Sequence, residues 1–402
     1  MAKKACHSEL VSETQNIDAP YELPEGWKWI PLLKSFENKT SSNKKLPTKY
    51  YSDAGKYAII DQGQEFIGGY SDKSDFVFDG ELPIIVFGDH TKCIKYIDFP
   101  FIQGADGVKI LKPISIVDPK FFYYALQNIH FPDLGYRRHF PIFKDYLFPL
   151  PPTLAEQQCI VNRIETMFTK LDQAQEKAQS VLDSFETRKA AILHKAFTGE
   201  LTANWRKENG VADDSWEEKR FDEVADIKSN LVDVSEFQDF PHIAPDNIEK
   251  KTGVLLEYHT VAEDKVKSGK HRFYAGQILY SKIRPYLSKV VVVDFDGVCS
   301  ADMYPIDAKG DTRFLWYQML SNEFLDRASN SGSRSVLPKI NQKELSIIPI
   351  RICSLSEQQE IVRILDSVLE KETRAKEAAQ TVLDQIALLK KSILARAFRG
   401  EV

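Results

Sequence analysis

Cysteine is sparse in this chain. Cys6, Cys93, Cys159, Cys299 and Cys353 are all there are in 402 residues, odd in number and without a Cys-x-x-Cys pair. This excludes a disulfide framework and a thiolate metal cage, and it fits a reducing compartment with ordinary buried thiols. Long apolar runs are missing too. The longest aliphatic string, Val290 to Val293, is strand-sized and far short of a membrane span. The opening segment to Asp18 has Lys3 and Lys4 but no apolar stretch behind them, so it reads as a tail rather than a secretory signal. A cytoplasmic protein with no membrane partner is expected. The histidines do not cluster, and nothing near His90 and Cys93 completes a metal site.

Catalytic signatures are absent as well. No glycine-rich loop matches a P-loop, and Gly104-Ala105-Asp106-Gly107 reads as a turn rather than a dinucleotide fingerprint. The one Pro-Pro, Pro151-Pro152, is followed by Thr153 and not by the aromatic residue an amino-methyltransferase motif needs. These absences favour a binding protein over an enzyme. Nor is positive charge in excess: the net charge of −5 argues at face value against a nucleic-acid partner. The field that matters, however, is the one at the binding face.

What is present is a repeat. Leu154, Glu156, Gln157, Gln158, Ile160 and Val161 return as Leu355, Glu357, Gln358, Gln359, Ile361 and Val362, an offset of 201 residues (156 to 357). The offset holds without a gap to Ala196-Phe197 and Gly199-Glu200, which return as Ala397-Phe398 and Gly400-Glu401. Thr153 with Glu156, and Ser354 with Glu357, predict capping boxes. Gly199 and Gly400 predict helix stops, with Lys195 and Arg396 in the last turns. Between these marks Ile160, Ile164, Met167, Leu171, Ala174, Ala178, Val181, Phe185 and Ile192 form a heptad seam broken at Arg188. The second copy keeps Ile361, Leu365, Val368, Ala375, Ala379, Val382, Ile386, Leu389 and Ile393, with Glu372 on the seam. Each copy is therefore one helix of about 40 residues, roughly 60 Å long. Its nearest partner is its own repeat, set antiparallel about a pseudo-twofold axis. The alternative is that both are oligomerisation arms.

A globular, β-rich part precedes each helix and opens on a tryptophan, Trp27 or Trp216. Short strands are predicted at 57–60, 84–87, 94–97 and 108–111, then at 277–280 and 289–293. Asp118 and Asp311 cap one aromatic helix in each part, and strands at 146–149 and 345–349 lead into the long helices. The polar segment 202–215 reads as a linker. The expected fold is α+β: two mixed α/β domains separated by two long antiparallel coiled-coil spacer helices. The bounds are a tail at 1–20, first domain 21–152, first helix 153–201, linker 202–215, second domain 216–353 and second helix 354–402.

The recognition signal is strongest in the second domain. Lys265 to Val293 holds Lys270, Arg272, Lys282, Arg284 and Lys289 without one Asp or Glu, interleaved with Phe273, Tyr280 and Tyr286. Ser281 completes this set. The loop around Ser333 and Arg334, with Lys339 after it, adds a guanidinium able to pair with guanine. In the first domain the candidates are Gln62, Gln64, Tyr70, Lys73, Asp89, His90, Thr91 and Lys92, then Arg137, Arg138 and His139. Residues 21–150 balance sixteen basic against sixteen acidic side chains, so composition does not mark this half as DNA-binding. In each case the competing reading is a solvated hairpin or a turn residue.

Taken together, two variable domains, each followed by a proline-rich approach, Glu-Gln-Gln-x-Ile-Val and a long helix ending Ala-Phe-x-Gly-Glu, resemble the specificity subunits of type I restriction–modification systems. Ile85-Val86-Phe87-Gly88-Asp89-His90-Thr91, Gly104-Ala105-Asp106-Gly107-Val108-Lys109, Ser281-Lys282-Ile283-Arg284-Pro285-Tyr286 and Ser300-Ala301-Asp302 are similar to strings of that family. The resemblance implies target recognition domains, each reading one half of a bipartite asymmetric site on double-stranded DNA, with the helices as a ruler. It implies no catalytic activity and no cofactor in this chain. Two modification subunits would use S-adenosylmethionine, and restriction subunits would use ATP and magnesium.

Overall fold

The two long helices form as Leu154–Phe197, 44 residues, and Leu355–Ala397, 43 residues, in a computed structural model that describes residues 18–41, 44–133, 135, 137–330 and 338–401. The predicted tail up to residue 17, and Ser333 and Arg334, lie outside the described residues. Each helix starts on a hydroxyl. Thr153 Oγ1 accepts from the Glu156 N–H at 3.2 Å, and Ser354 Oγ from the Glu357 N–H at 3.3 Å. Each stops at a left-handed glycine, Gly199 at φ +85° and Gly400 at φ +75°.

The returning half of each predicted capping box is replaced. The Glu156 carboxylate accepts the indole N–H of Trp27 at 2.8 Å, and that of Glu357 accepts the indole N–H of Trp216 at 3.2 Å. A sunken indole needs an acceptor more than an exposed cap does. The next residue repeats the logic. Gln157 Oε1 accepts from the Asp118 N–H at 2.7 Å, and Gln358 Oε1 from the Asp311 N–H at 3.0 Å. Asp118 and Asp311 cap the aromatic helices Pro119–Asn128 and Thr312–Met319. The repeated Glu-Gln doublet thus bolts each long helix to a tryptophan and to an aromatic helix.

The described residues form two compact units: those up to 178 with those from 381 onward, and those from 179 to 380. The division falls within the long helices rather than at their ends. Each unit therefore holds the start of one and the end of the other.

In the first unit, Lys28–Pro31 pairs antiparallel with Leu147–Leu150, just before the long helix. A four-stranded antiparallel sheet runs Phe36–Asn38, Val108–Pro113, Ile84–Gly88, Ile94–Ile97. A smaller sheet sets Tyr57–Ile60 between Gly69–Ser71 and Phe101–Gln103, the latter parallel to it. The core joins Phe87, Phe121, Phe122, Phe143 and Phe148 to Ile160, Val161 and Ile164 of the first long helix. Leu394, Ala397 and Phe398 from the end of the second long helix complete it. Full burial of such side chains stabilises by about 1.5–3 kcal/mol each.

The second unit repeats the plan. Glu217–Arg220 pairs with Pro349–Ile352, and the four-stranded sheet runs Ala225–Ile227, Met303–Ala308, Ile278–Ser281, Val290–Val292. Its other sheet contains the matching parallel pair, Pro241–Ile243 with Gly297–Cys299, and gains two strands, Leu231–Val232 and Lys270–Phe273. Its core joins Phe221, Tyr280 and Phe314 to Ile361 and Leu365, and to Leu193, Ala196 and Phe197 from the end of the first long helix. Two expectations are corrected here. Residues 345–348 are not a strand: Asn341 caps the short helix Gln342–Ser346, and the strand starts at Pro349. Nor is 202–215 a bare linker, since Ala203–Glu208 is helical and turns Arg206 inward.

The two seam breaks find each other within this unit. Arg188 Nε donates to Glu372 Oε2 at 2.8 Å, and the Lys376 ammonium lies over the Phe185 ring. Partner numbers rise on one helix as they fall on the other, so the helices are antiparallel here. They are antiparallel in the first unit too, where Asp172 pairs with Lys390 and the start of one helix shares a core with the end of the other. The first helix keeps every seam position at least half-buried, whereas Ala375, Val382 and Leu389 of the second are exposed.

Arg206 closes the second unit. Its guanidinium donates to Glu357 at 2.7 Å, beside Thr202 and Trp216, and the Glu357 carboxylate is fully buried. Removing one member of such a pair leaves a buried charge uncompensated, at about 3–5 kcal/mol. Arg206→Met is therefore expected to lower the thermal midpoint by many degrees; an unchanged midpoint in calorimetry would contradict this role.

Candidate nucleic-acid interface

In the first unit the turn after strand Ile84–Gly88 is built around Gln62. The Gln62 carboxamide accepts the His90 N–H at 3.2 Å and donates to the Asp106 carbonyl at 3.1 Å, while the Thr91 hydroxyl donates to the Gln62 carbonyl at 2.6 Å. Gly107, at φ +88°, leaves room that a Cβ would take from the Gln62 side chain. The two strings Gly88-Asp89-His90-Thr91 and Gly104-Ala105-Asp106-Gly107 thus meet in one place.

Cations surround it. Lys92, itself at φ +61°, lies 3.8 Å from Asp133, and Lys109 stacks on Phe140. Lys45 pairs with Asp106, and Arg137 and Arg138 are exposed. The hydrogen bond from Lys45 holds the Asp106 carboxyl below its usual range, and Arg138 adds to the effect. Lys45 and Lys109 were not among the contact candidates read from sequence, because elements distant in the chain bring them here.

Two candidates here are corrected. Asp89 is buried, accepting the Phe140 N–H on its carboxylate at 2.7 Å and the His139 N–H on its carbonyl at 2.7 Å. His139 is wholly buried, with Nδ1 3.0 Å from the same carbonyl. Both tie the turn to the loop carrying Arg137 and Arg138 rather than facing a ligand. Gln64 is exposed in the neighbouring turn. Tyr70 lies on the edge strand Gly69–Ser71, and the Lys73 ammonium sits 4.0 Å over the Tyr50 ring.

In the second unit the basic run folds into strand Lys270–Phe273, strand Ile278–Ser281 and the turn after it. Lys282 lies over the Tyr304 ring, Lys339 pairs with Asp302 at 3.1 Å, and an isolated bridge joins Ile283 to Lys339. Arg284 and Tyr286 are exposed at the tip of that turn. Of the remaining described candidates, Lys270 and Ser281 are committed inward, which corrects their reading as ligand contacts, while Arg272 and Lys289 are half-buried. Lys270 is buried and donates to Ser268, and the Ser281 hydroxyl, also buried, donates to the Ile283 carbonyl. Lys289 donates to the Pro245 carbonyl at 2.7 Å. The Arg272 guanidinium lies near the rings of Phe237, Phe240 and Tyr274. Behind this face burial, and then the Lys282 charge, push the His271 imidazole below its ordinary value.

No group of three or more His, Cys, Asp or Glu able to hold a metal ion occurs among the described residues. Each unit instead offers a cationic loop surface on a rigid sheet, an arrangement suited to phosphates and base edges. These features fit a DNA-recognition protein.

The family follows from comparison with known proteins. A family model described as "Type I restriction modification DNA specificity domain" matches residues 213–383. The chain is 34% identical over 409 residues to the EcoDI specificity subunit of Escherichia coli, covering 95% of this chain and 90% of that one. It is 22% identical to the EcoR124I/EcoR124II specificity subunit of Escherichia coli, covering 84% and 86%. Among solved structures, a chain of a type I R-M system superposes with TM-score 0.67 at 16% identity, covering 95% of this chain and all of that one. The HsdS subunit from Thermoanaerobacter tengcongensis gives 0.57 at 16%, covering 96% and 99%. The chain belongs to the specificity subunits of type I restriction enzymes, the DNA-recognition component rather than a catalytic one.

The His271 environment predicts a pH dependence. The folded state resists protonation that the unfolded chain accepts near pH 6.5, so stability falls as pH drops below that value. Urea midpoints between pH 7.5 and 5.5 should decline less steeply in His271→Gln than in the wild type; parallel curves would contradict this.

Proposed function

We propose that each unit reads one half of a bipartite, asymmetric duplex target, and that the long helices set the gap between the halves. The observation that carries this reading is the shared strand order of the two units combined with unlike loop chemistry. A Gln62-centred turn with Arg137 and Arg138 serves one unit, and the Lys282–Tyr286 turn with Lys339 serves the other. Conserved frames with different contacts suit two different half-sites, and helices of 44 and 43 residues suit a fixed interval.

Two modification subunits would dock on the repeated helix starts, where Leu154 and Leu355 hold equivalent positions and are both about half exposed. Apolar side chains left in water at matched places favour matched partners. Restriction subunits would join that assembly. S-adenosylmethionine, ATP and magnesium would belong to those partners, and the complex would act in the cytoplasm. No helix among the described residues is long and apolar enough to cross a membrane.

Inserting one heptad into each long helix adds roughly 10 Å, equivalent to about three base pairs. Sequencing of methylated sites in cells carrying the altered chain should show the unspecified gap lengthened by about that amount, with the specified bases unchanged. A gap of the original length would refute the ruler.

A further inference from the structure

Left-handed backbone at residues other than glycine is costly and persists only where the surroundings enforce it. Five described residues adopt it: Lys92, Lys251, Lys265, Arg284 and Ser288. Three of these meet at one place in the second unit. Arg284 at φ +48° and Ser288 at φ +45° bracket the turn Pro285–Leu287. Pro285 is buried beneath that turn while Arg284 and Tyr286 face outward. Lys251, at φ +63°, donates its N–H to the carbonyls of Leu287 at 3.1 Å and Ser288 at 3.3 Å. The other side of the turn is held by the Arg284 N–H on the Pro338 carbonyl at 2.8 Å.

Behind Lys251 stands the first long helix. Lys189 Nζ donates to the Lys251 carbonyl at 2.8 Å. One turn further on, Leu193 is locked into the core of the unit. Lys189, Lys251 and Ser288 line one cavity of about 580 Å³, which also contains Lys250 and Glu186. A chain of hydrogen bonds therefore runs from the helix, through both backbone groups of a strained lysine, to the turn that presents Arg284 and Tyr286. The Lys189 ammonium is half-buried, and burial, with the Lys376 charge, lowers its pKa against the opposing pull of the Glu186 and Glu249 carboxylates. An ordinary surface lysine would swing into water.

We propose that Lys189 is a positioning residue for specificity: it fixes Lys251, and through Lys251 the Arg284–Ser288 turn, at the height from which the half-site is read. The inference rests on the reading of that turn as a DNA contact, and its test separates the two. The full chain, assembled with its modification subunits, is titrated by fluorescence anisotropy against its target duplex and against duplexes altered in one half-site at a time. Lys189→Met keeps the stem and removes the donor. Discrimination at the half-site read by the second unit should fall roughly tenfold, the loss of one hydrogen bond from a charged group. Discrimination at the other half-site, and the slope of log affinity against log salt, should not change. Lys189→Arg should recover most of the loss. If Lys189→Met does not fold, Lys189→Gln, neutral but still a donor, should show a smaller loss of the same kind. Unchanged discrimination in the Met and Gln variants alongside a loss in Arg284→Ala would overturn the positioning role and leave the turn's reading intact. Unchanged discrimination in Arg284→Ala would overturn both. A salt slope reduced by about one in Lys189→Met would mean a direct phosphate contact and would also overturn it.

Discussion

A helix of more than forty residues with an apolar seam has to be covered along its length, and no single small domain is long enough to do so. In each compact unit the cover comes from three directions: a globular core over the first turns of one long helix, the last turns of the other helix in that same core, and the antiparallel neighbour between. The consequence is that neither globular part is complete without both repeats. Phe398 sits among Phe121 and its neighbours, and Phe197 against Phe314, so the ends of the helices are core residues rather than connectors.

The repeated doublet Glu-Gln fixes where this cover begins. In both units the glutamate takes an indole N–H and the glutamine takes the amide of the aspartate that caps the aromatic helix. The surroundings then diverge. Glu357 is joined by Thr202 and Arg206 and is wholly buried, whereas Glu156 is partly exposed. The same frame therefore carries different electrostatic loads, in keeping with its loops, which share strand order and little else.

The long helices were legible because heptad spacing, caps and a copied length all agree. The fate of the seam breaks was not legible, since only the antiparallel partner brings Arg188 to Glu372. Sequence could place Thr153 and Ser354 at helix starts, but the carboxylates of Glu156 and Glu357 were drawn away by tryptophans far off in the chain. Of the candidate contacts, the exposure of Arg137, Arg138, Arg284 and Tyr286 was legible, since they sit in polar turns. Asp89, His139, Lys270 and Lys289 look the same in sequence, yet long-range contacts draw in Asp89, His139 and Lys289, and Lys270 is buried against its near neighbour Ser268. Lys189 carried no local signal at all. It is one more charged residue on a charged helix, and only the carbonyl of Lys251 distinguishes it.

The central claim is that two independent readers share one frame. It is tested most directly by exchanging residues 216–350 for the corresponding segment of a relative with a different second domain, then sequencing the methylated motif in cells. The account predicts a hybrid motif, with one half and the gap retained and the other half taken from the donor. A motif changed in both halves, or unchanged in both, would contradict it.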